Sequence, residues 1–414
     1  VAKHIGLVGR PIGHSLSPMI HEFMHAVNYE LYDVPTFEKT IFSTDILGLN
    51  VTAPYKSKAF KMVDDADEWA QKSGSVNTIV NHTNGLKGYN TDILALREIV
   101  RQRCLTDGYQ SVGIVGNGAT ANSIKIALQD LNLLVKTYAR HPQKDEFAFA
   151  AWDNSVDVLI NATPLGMTHI SSIFPLDASQ LTGVQWIFDT VYAPFHTGLS
   201  RLAKKANVPY TNGLSMLLHQ ALHSARLMTG QALLDVDLKS LYETVVLKTV
   251  NLVLIGLPYS GKSTVGQALA KQLGMTFIDT DKEIHTTTGK HPAEWINEYG
   301  EARFRDVEST IIQSLKDVTH SVIATGGGAL LNETNAVNLH QNGIMIYLTR
   351  QDTPSFTDTR PLATTLNEYL TLKKKRDPLY THWADIELTD AINAPNIMAL
   401  WKEKWHAYLN HQWT

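Results

Sequence analysis

The chain has 414 residues, 44% of them hydrophobic and 18% charged, and its 36 Lys+Arg against 40 Asp+Glu give a formal net charge of −4. That length suggests two or three domains, the apolar content argues against intrinsic disorder, and the weakly acidic balance argues against wholesale nucleic-acid binding, which needs a basic face. The single cysteine, Cys104, excludes an intrachain disulfide framework and a Cys-rich zinc site; no run of about 18 apolar residues marks a membrane span, and with no signal-like N-terminus the expected compartment is the cytoplasm.

Along the chain, short apolar runs alternate with helical stretches, which predicts α/β architecture. Cys104 has no adjacent base and is read as a packing residue. Ser111–Val115 is a predicted strand feeding Gly116, with a helix expected over 121–131 and a second apolar run over Leu133–Tyr138. Leu214–Thr229 predicts a helix with Leu214, Leu217, Leu218, Ala221, Leu222 and Ala225 on one face. A shorter helical stretch, 236–246, leads to an expected boundary and short linker near Leu247. Val250–Ile255 then feeds Gly256, with a helix expected over Lys262–Leu273 and further runs at Met275–Ile278 and Ser321–Ala324. The segment 396–413 places Ile397, Leu400, Trp401, Trp405 and Tyr408 on one stripe, read as a packing helix.

Two glycine loops follow predicted strands. Gly116-Asn-Gly118-Ala119-Thr-Ala121 is a G-x-G-x-x-A turn, whose three positions serve a tight turn, close pyrophosphate approach and helix packing. Beyond the next run stands Arg140 rather than an acidic residue, and a basic side chain there can meet the 2′-phosphate of NADP, with Lys144 nearby. Gly256-Leu-Pro-Tyr-Ser-Gly261-Lys262-Ser263 matches G-x-x-x-x-G-K-[ST], with Thr264 following. Its backbone N–H groups would cradle phosphates, Lys262 would reach the β/γ-phosphates and Ser263 would bind Mg²⁺. Asp279-Thr-Asp281 closes the following apolar run, where carboxylates suit metal and hydroxyl recognition. His21-Glu22-Phe-Met-His25 spells H-E-x-x-H, the zinc-protease helix, but no histidine follows at the extended spacing and the reading is set aside.

Around the first loop lie Gly9-Arg-Pro-Ile-Gly-His-Ser15-Leu-Ser17-Pro, Asn50-Val-Thr52-Ala-Pro-Tyr-Lys56, Ser75-Val-Asn77-Thr78 and Gly88-Tyr-Asn90-Thr91-Asp92. Asn161-Ala-Thr-Pro-Leu-Gly166-Met167, Asp189-Thr-Val-Tyr192 and Gly213-Leu-Ser-Met216-Leu-x-x-Gln220 follow. In this order the series resembles shikimate dehydrogenase over about residues 3–240. The resemblance implies that Ser15 and Ser17 bind the ring carboxylate, that Thr52, Asn77, Asp92 and Gln220 read hydroxyls, and that Tyr192 also lines the substrate. It implies Lys56 and Asp92 as the catalytic pair, leaving open which is the acid, and Gly116, Gly118, Ala119, Arg140 and Lys144 as the NADP(H) contacts. Three residues depart from the family: Ala119 for a usual glycine, Ala139 for an Asn and His141 for a Thr.

The second loop is joined by Phe304-Arg305-x-x-Glu308, Gly326-Gly327-Gly328, Arg360-Pro-Leu and Arg376-Asp-Pro-Leu-Tyr380. This set resembles shikimate kinase from about Thr249 to the end. The resemblance implies that Asp281 holds substrate hydroxyls and assists the attacking one, and that Arg305 and Arg376 clamp the carboxylate. Gly326, Gly327 and Gly328 would admit the ring, Asp279 would sit near Mg²⁺ with Ser263, and Arg360 would steady the transferring phosphoryl group. Gly256, Gly261, Lys262, Ser263 and Thr264 would hold ATP. Tyr259 stands where the family usually has Gly or another small residue, and the segments 36–45, 351–359 and 363–366 are shorter than usual.

The expected fold class is therefore α/β: an N-terminal two-lobe dehydrogenase with a Rossmann-like NADP lobe, followed by a P-loop kinase domain with a parallel sheet. The expected division is a substrate lobe over 1–95 with returning helices 213–246, a cofactor lobe over 96–212 and a kinase domain over 249–414. The expected function is bifunctional, with NADPH reducing 3-dehydroshikimate to shikimate and ATP with Mg²⁺ phosphorylating shikimate to shikimate 3-phosphate. The partners are these small molecules, with no nucleic acid or membrane and the oligomeric state open. One active half beside a ligand-binding regulatory half, activity on quinate, and a nucleotide-dependent scaffold are the alternatives.

Overall fold

The computed structural model describes residues 3–13, 15–24, 28–168, 170, 173–230, 236–354, 364–391 and 397–413. The chain forms two compact units, one over Val1–Tyr192 and Gly198–Val245, the other over Ala193–Thr197 and Val246–Gln412. Among the described residues, no helix is long and apolar enough to cross a membrane.

The first unit holds two sheets. β1 (His4–Gly9), β2 (Tyr29–Asp33), β3 (Ile46–Val51), β4 (Asp65–Ala66), β5 (Thr78–His82) and β6 (Gly85–Tyr89) pair in the order β2-β1-β3-β5-β6-β4. Pairing is parallel except where β5 runs against β3 and β6. The helix Leu214–Thr229 returns to this sheet and buries Leu218, Ala221, Leu222, Ala225 and Met228. It ends at Gly230 in the left-handed conformation that commonly closes a helix.

The second sheet contains β7 (Ser111–Val115), β8 (Leu134–Ala139), β9 (Phe147–Ala148), β10 (Val158–Asn161), β11 (Trp186–Asp189) and β12 (Tyr210–Thr211), in the order β12-β11-β10-β7-β8-β9. Every pairing is parallel. Strands covered on both faces read as continuous apolar runs, and β7, β10 and β11 are buried throughout. Strand order reverses at β7, so the turn after it opens into a crevice suited to a ligand. The helix after that turn spans Ala119–Leu128 rather than 121–131. It starts on the glycine turn itself, and it stops where Arg97 donates to Ala127 O at 3.2 Å and pairs with Asp130.

In the second unit β13 (Asn251–Ile255), β14 (Thr276–Asp279), β15 (Ser321–Ala324), β16 (Gly343–Thr349) and β17 (Ile386–Thr389) form an all-parallel sheet, β14-β15-β13-β16-β17. Its core joins Val253, Ile255, Ile323, Met345, Tyr347 and Trp383. Order again reverses at the strand that feeds a glycine loop, here β13. The helix Lys262–Leu273 has the expected bounds, and on the C-terminal helix Ile397–Trp413 the tryptophans Trp401 and Trp405 are buried. The linker expected near Leu247 is instead helix, Leu238–Thr249, because the buried series Leu241, Tyr242, Val245 and Val246 keeps a helical spacing through it.

Candidate active sites

In the first unit, Lys56 opens the helix Lys56–Met62, and Asp92 lies in the first turn of the helix Thr91–Leu96, capped by Asn90. The structure brings the two together: Lys56 Nζ donates to Asp92 Oδ2 at 2.7 Å, with the side chains 36% and 19% exposed. A charged pair at this depth is reachable by a ligand yet partly screened from water.

A buried polar network stands behind the pair. Thr91 N donates to Asn77 Oδ1 at 2.8 Å, and Asn77 Nδ2 donates to Thr91 Oγ1 at 3.0 Å. Asn50 Nδ2 donates to Thr78 Oγ1 at 3.1 Å, and Tyr29 Oη donates to Asn50 Oδ1 at 2.9 Å. Asn77 thus uses its oxygen and one amide hydrogen to fix the start of the Asp92 helix. Asn50, Thr78 and Thr91 received no role from the sequence; they stand inside the motif strings, which was the available signal.

The remaining substrate candidates are placed less tightly. Ser17 is buried at the start of the helix Ser17–Phe23, and its N–H donates to Ser15 Oγ at 3.2 Å. Thr52 packs against Gly9, where a Cβ would lie 2.3 Å from Thr52 Cγ2. Tyr192 is half-buried, and burial raises its pKa. Gln220 is half-buried and donates to Leu217 O at 2.9 Å. Among the described residues, no hydrogen bond ties Ser15, Thr52, Tyr192 or Gln220 to the Lys56–Asp92 pair. His21 is buried and stacked on Tyr29 at 4.1 Å, and burial lowers its pKa to about 3, a neutral packing histidine; His25 lies outside the described residues. Cys104 is buried, with its thiol pushed up to about 12 by burial.

At the first glycine turn Gly116 has φ +112, and a Cβ there would lie 2.9 Å from Thr163 Cγ2 and 3.0 Å from Ala162 O, so only glycine fits. Gly118 caps the helix Ala119–Leu128 without any side-chain bond to its first N–H groups, and Gly118 and Ala119 are exposed. Uncapped N–H groups at an open helix start suit a diphosphate. Arg140 and Lys144 are exposed beyond β8. Asn117 Nδ2 bridges to His141 O at 3.1 Å and Glu146 Oε2 at 3.0 Å. The N–H of Gln143 and the Asn117 amide hold the Glu146 carboxyl below its ordinary range. No sequence motif contains Glu146.

In the second unit Lys262 is buried inside its loop, donating to Gly256 O at 2.9 Å and Leu257 O at 2.8 Å. Gly261 takes φ +85 at the helix start, and Thr264 is exposed in the first turn. Ser263 Oγ donates to Asp279 Oδ2 at 2.7 Å. A hydroxyl and a carboxylate joined at this distance are a hard-oxygen pair that fits Mg²⁺. Asp279 also caps the helix Thr280–Thr288, which carries Asp281.

Next to the loop lies a charged cluster. Arg305 Nη1 donates to Glu308 Oε2 at 2.7 Å, and Nη2 donates to Glu301 Oε1 at 2.8 Å. Burial works against the Arg305 charge, but Glu308 and Glu301 outweigh it and its pKa rises. Arg376 Nη1 donates to Gly327 O at 2.8 Å, and Tyr380 Oη donates to the same oxygen. Cβ atoms built on the triple glycine show why it is bare. At Gly326 one would lie 2.6 Å from Glu308 Oε1 and 3.0 Å from Asp281 Oδ1; at Gly328, 2.2 Å from Arg305 Nη2; at Gly327, 3.0 Å from Pro258. Arg305 Nε, Arg376 Nε and Glu308 Oε1 are buried without a hydrogen-bond partner. The two arginine nitrogens are donors that fit an anionic group, and the carboxylate oxygen is an acceptor that fits a hydroxyl. Glu308 carries no role in the motif alone; its i, i+3 spacing from Arg305 is the signal that pairs the two. Arg360 lies outside the described residues.

Comparison with known proteins finds relatives for both units. A family model described as the shikimate dehydrogenase substrate binding domain matches residues 7–79, and one described as shikimate kinase matches residues 258–404. The shikimate dehydrogenase (NADP(+)) of Pyrococcus furiosus is 32% identical over 249 residues, covering 55% of this chain and 91% of that protein. That of Methanocaldococcus jannaschii is 32% identical over 258 residues, covering 55% and 92%. A chorismate mutase/shikimate 5-dehydrogenase fusion protein from Clostridium acetobutylicum is similar in structure, with TM-score 0.53 and 27% identity over 59% of this chain and 97% of that chain. Shikimate dehydrogenase from Aquifex aeolicus shares the fold at TM-score 0.52 and 22% identity, over 59% and 97%. A chain so similar to these relatives across nearly their whole length belongs to the shikimate dehydrogenase family, and it carries in addition a shikimate kinase domain.

Proposed function

We propose that the chain is a bifunctional enzyme. Its first unit reduces 3-dehydroshikimate to shikimate with NADPH, and its second phosphorylates shikimate to shikimate 3-phosphate with MgATP. The observation that carries this is that each unit pairs a glycine turn with its own charged cluster suited to a hydroxylated ring acid: Lys56–Asp92 in one, Asp281, Arg305, Glu308 and Arg376 in the other.

For the reduction, the uncapped N–H groups after Gly116 and Gly118 receive the dinucleotide diphosphate, and Arg140 with Lys144 meets the 2′-phosphate. NADPH, when bound, supplies the hydride to the carbonyl carbon. Lys56 Nζ, an ammonium with three donors, aims one at the carbonyl oxygen, stabilises the charge that gathers there and hands over the proton. Asp92 keeps that ammonium in place. Ser15 and Ser17 bind the carboxylate, and Thr52, Tyr192 and Gln220 read the ring.

For the phosphorylation, Arg305 and Arg376 hold the substrate carboxylate with planar forks. Asp281 orients the attacking hydroxyl and accepts its proton. Lys262 and the loop N–H groups hold the phosphates, and Ser263 and Asp279 supply oxygen ligands for Mg²⁺, which neutralises phosphate charge when bound.

The test is a single reaction in which the purified chain receives 3-dehydroshikimate, NADPH and MgATP. Stoichiometric NADPH oxidation with formation of a shikimate phosphate ester is expected. NADPH oxidation without the ester, or ATP use on added shikimate without reductase activity, would leave one half inactive and overturn the bifunctional reading.

A further inference from the structure

Tyr259 sits in the phosphate loop with φ +66, a left-handed conformation that glycine adopts freely and a bulky side chain rarely does. Such a conformation persists only where its surroundings hold it. Here the side chain packs against the core of the second unit, and the backbone is held by Arg350, just past β16, whose Nη1 donates to Tyr259 O at 2.7 Å. The guanidinium is itself fixed by Asp352, with Nε to Oδ1 at 2.7 Å and Nη2 to Oδ2 at 2.6 Å, and the arginine side chain is only 12% exposed. The same strand braces the other end of the loop. Gly256 takes φ +144, and a Cβ on it would lie 2.7 Å from Leu348 O.

A trans peptide points its C=O and N–H in opposite directions. Pinning the Tyr259 oxygen on the Arg350 side therefore turns the Ser260 N–H to the far side of the loop, where it donates to Leu257 O at 3.3 Å. Committed to Leu257 O, the Ser260 N–H closes the bend, and a bend fixed in this way lets other loop N–H groups line an anion-binding concavity. We propose that Arg350 is a positioning residue of the kinase site: acting through the Tyr259 carbonyl, and fixed by Asp352, it holds the phosphate loop in the bend that receives nucleotide. The proposal rests on the kinase reading above. Only a planar fork reaches both the carboxylate and the carbonyl; a lysine ammonium is a point charge without that geometry.

The experiment measures MgATP affinity of the full chain by calorimetry, with kcat and both KM values beside it. Arg350→Ala is expected to weaken MgATP binding about tenfold, the scale of one lost charged hydrogen bond, and to leave the shikimate KM within about twofold. Arg350→Lys restores little of the loss, and Asp352→Asn shows a smaller loss in the same direction. In a Tyr259→Gly background, where the left-handed bend needs no holding, the Arg350→Ala loss shrinks below about threefold. If Arg350→Ala does not fold, Asp352→Asn with and without Tyr259→Gly carries the same comparison.

Unchanged MgATP affinity in Arg350→Ala overturns the proposal. So does a loss that persists in full beside Tyr259→Gly, which would assign Arg350 a direct contact with nucleotide. An unmodified chain that binds no MgATP overturns the kinase reading and this proposal together; one that binds it while the variants behave as wild type overturns this proposal alone.

Discussion

Lys56 and Asp92, on two different helices of the first unit, meet at 2.7 Å through Nζ and Oδ2. Because the lysine is 36% exposed, the pair contributes under about 1 kcal/mol to stability. Its value lies in chemistry. Lys56→Ala is expected to lower reductase kcat by about 100-fold or more, the range for loss of a positioned proton donor. Kinase kcat in the same preparation stays within about twofold, since its cluster lies in the other unit. Separate NADPH and ATP assays on one sample check this, and a parallel fall in both activities contradicts it.

Lys262→Ala gives the reciprocal result. The ammonium fills a loop whose Gly256 and Leu257 carbonyls it satisfies. Removal takes away the charge meant for the phosphates and strips the Gly256 carbonyl of this donor, while Leu257 O keeps the Ser260 N–H. ATP-dependent turnover falls by about 100-fold or more, and reductase kcat is retained. Calorimetry with MgATP distinguishes lost binding from lost turnover.

The sequence revealed most where chemistry and local geometry coincide. β7 and β13 were legible because strands buried on both faces are unbroken apolar runs, and the turns after them carry glycines that the backbone requires, as at Gly116. The Lys56–Asp92 contact follows from no spacing, and only the resemblance pointed to it before the structure joined the two. Asn50, Thr78 and Thr91 escaped notice because a buried polar network is assembled from three separate strings, none of which looks like a site alone. The helical stretch expected over 236–246 is present, but it runs on to Thr249 through the position where a linker is expected, because the polar residues Lys248 and Thr249 hide the last turn from an apolar pattern. Arg350 was invisible for a different reason: its partner is a backbone oxygen, which no side-chain pattern records.

Gly328→Ala should damage the kinase selectively. The new Cβ would lie 2.2 Å from Arg305 Nη2, and the guanidinium cannot simply swing away because Glu301 and Glu308 hold it. Displacing one arm of the carboxylate clamp is expected to raise the shikimate KM about tenfold. The MgATP KM stays near wild type, because the loop's phosphate contacts are untouched. Initial-rate kinetics with each substrate varied in turn separates the two, and an unchanged shikimate KM contradicts the placement of Arg305.

Arg140→Ala tests the nucleotide preference. Arg140 is exposed beyond β8, with Lys144 four positions on, and a guanidinium there suits a phosphate better than a ribose hydroxyl. The NADPH KM is expected to rise about tenfold while weak activity with NADH is unaffected. Equal effects on both nucleotides would show that Arg140 does not read the 2′-phosphate.

Glu308 makes a prediction about pH. It is 1% exposed, and burial raises its pKa above the ordinary 4.5; Arg305 and Arg376 oppose this and Asp281 adds to it. A carboxyl whose folded pKa lies above its unfolded one binds more protons folded than unfolded between the two values. Stability contributed this way is present below the unfolded pKa and is lost as pH rises through the folded one. Glu308→Gln keeps the shape without a titrating group, so it removes this slope and adds a constant offset from the weakened Arg305 contact. Urea unfolding of the second unit's transition from pH 4.5 upward should show wild-type stability falling relative to the variant as pH increases. Parallel pH curves for the two proteins would show that Glu308 is ionised as readily folded as unfolded, the Arg305 contact cancelling burial, and a wild-type curve rising relative to the variant would show that the contact outweighs burial.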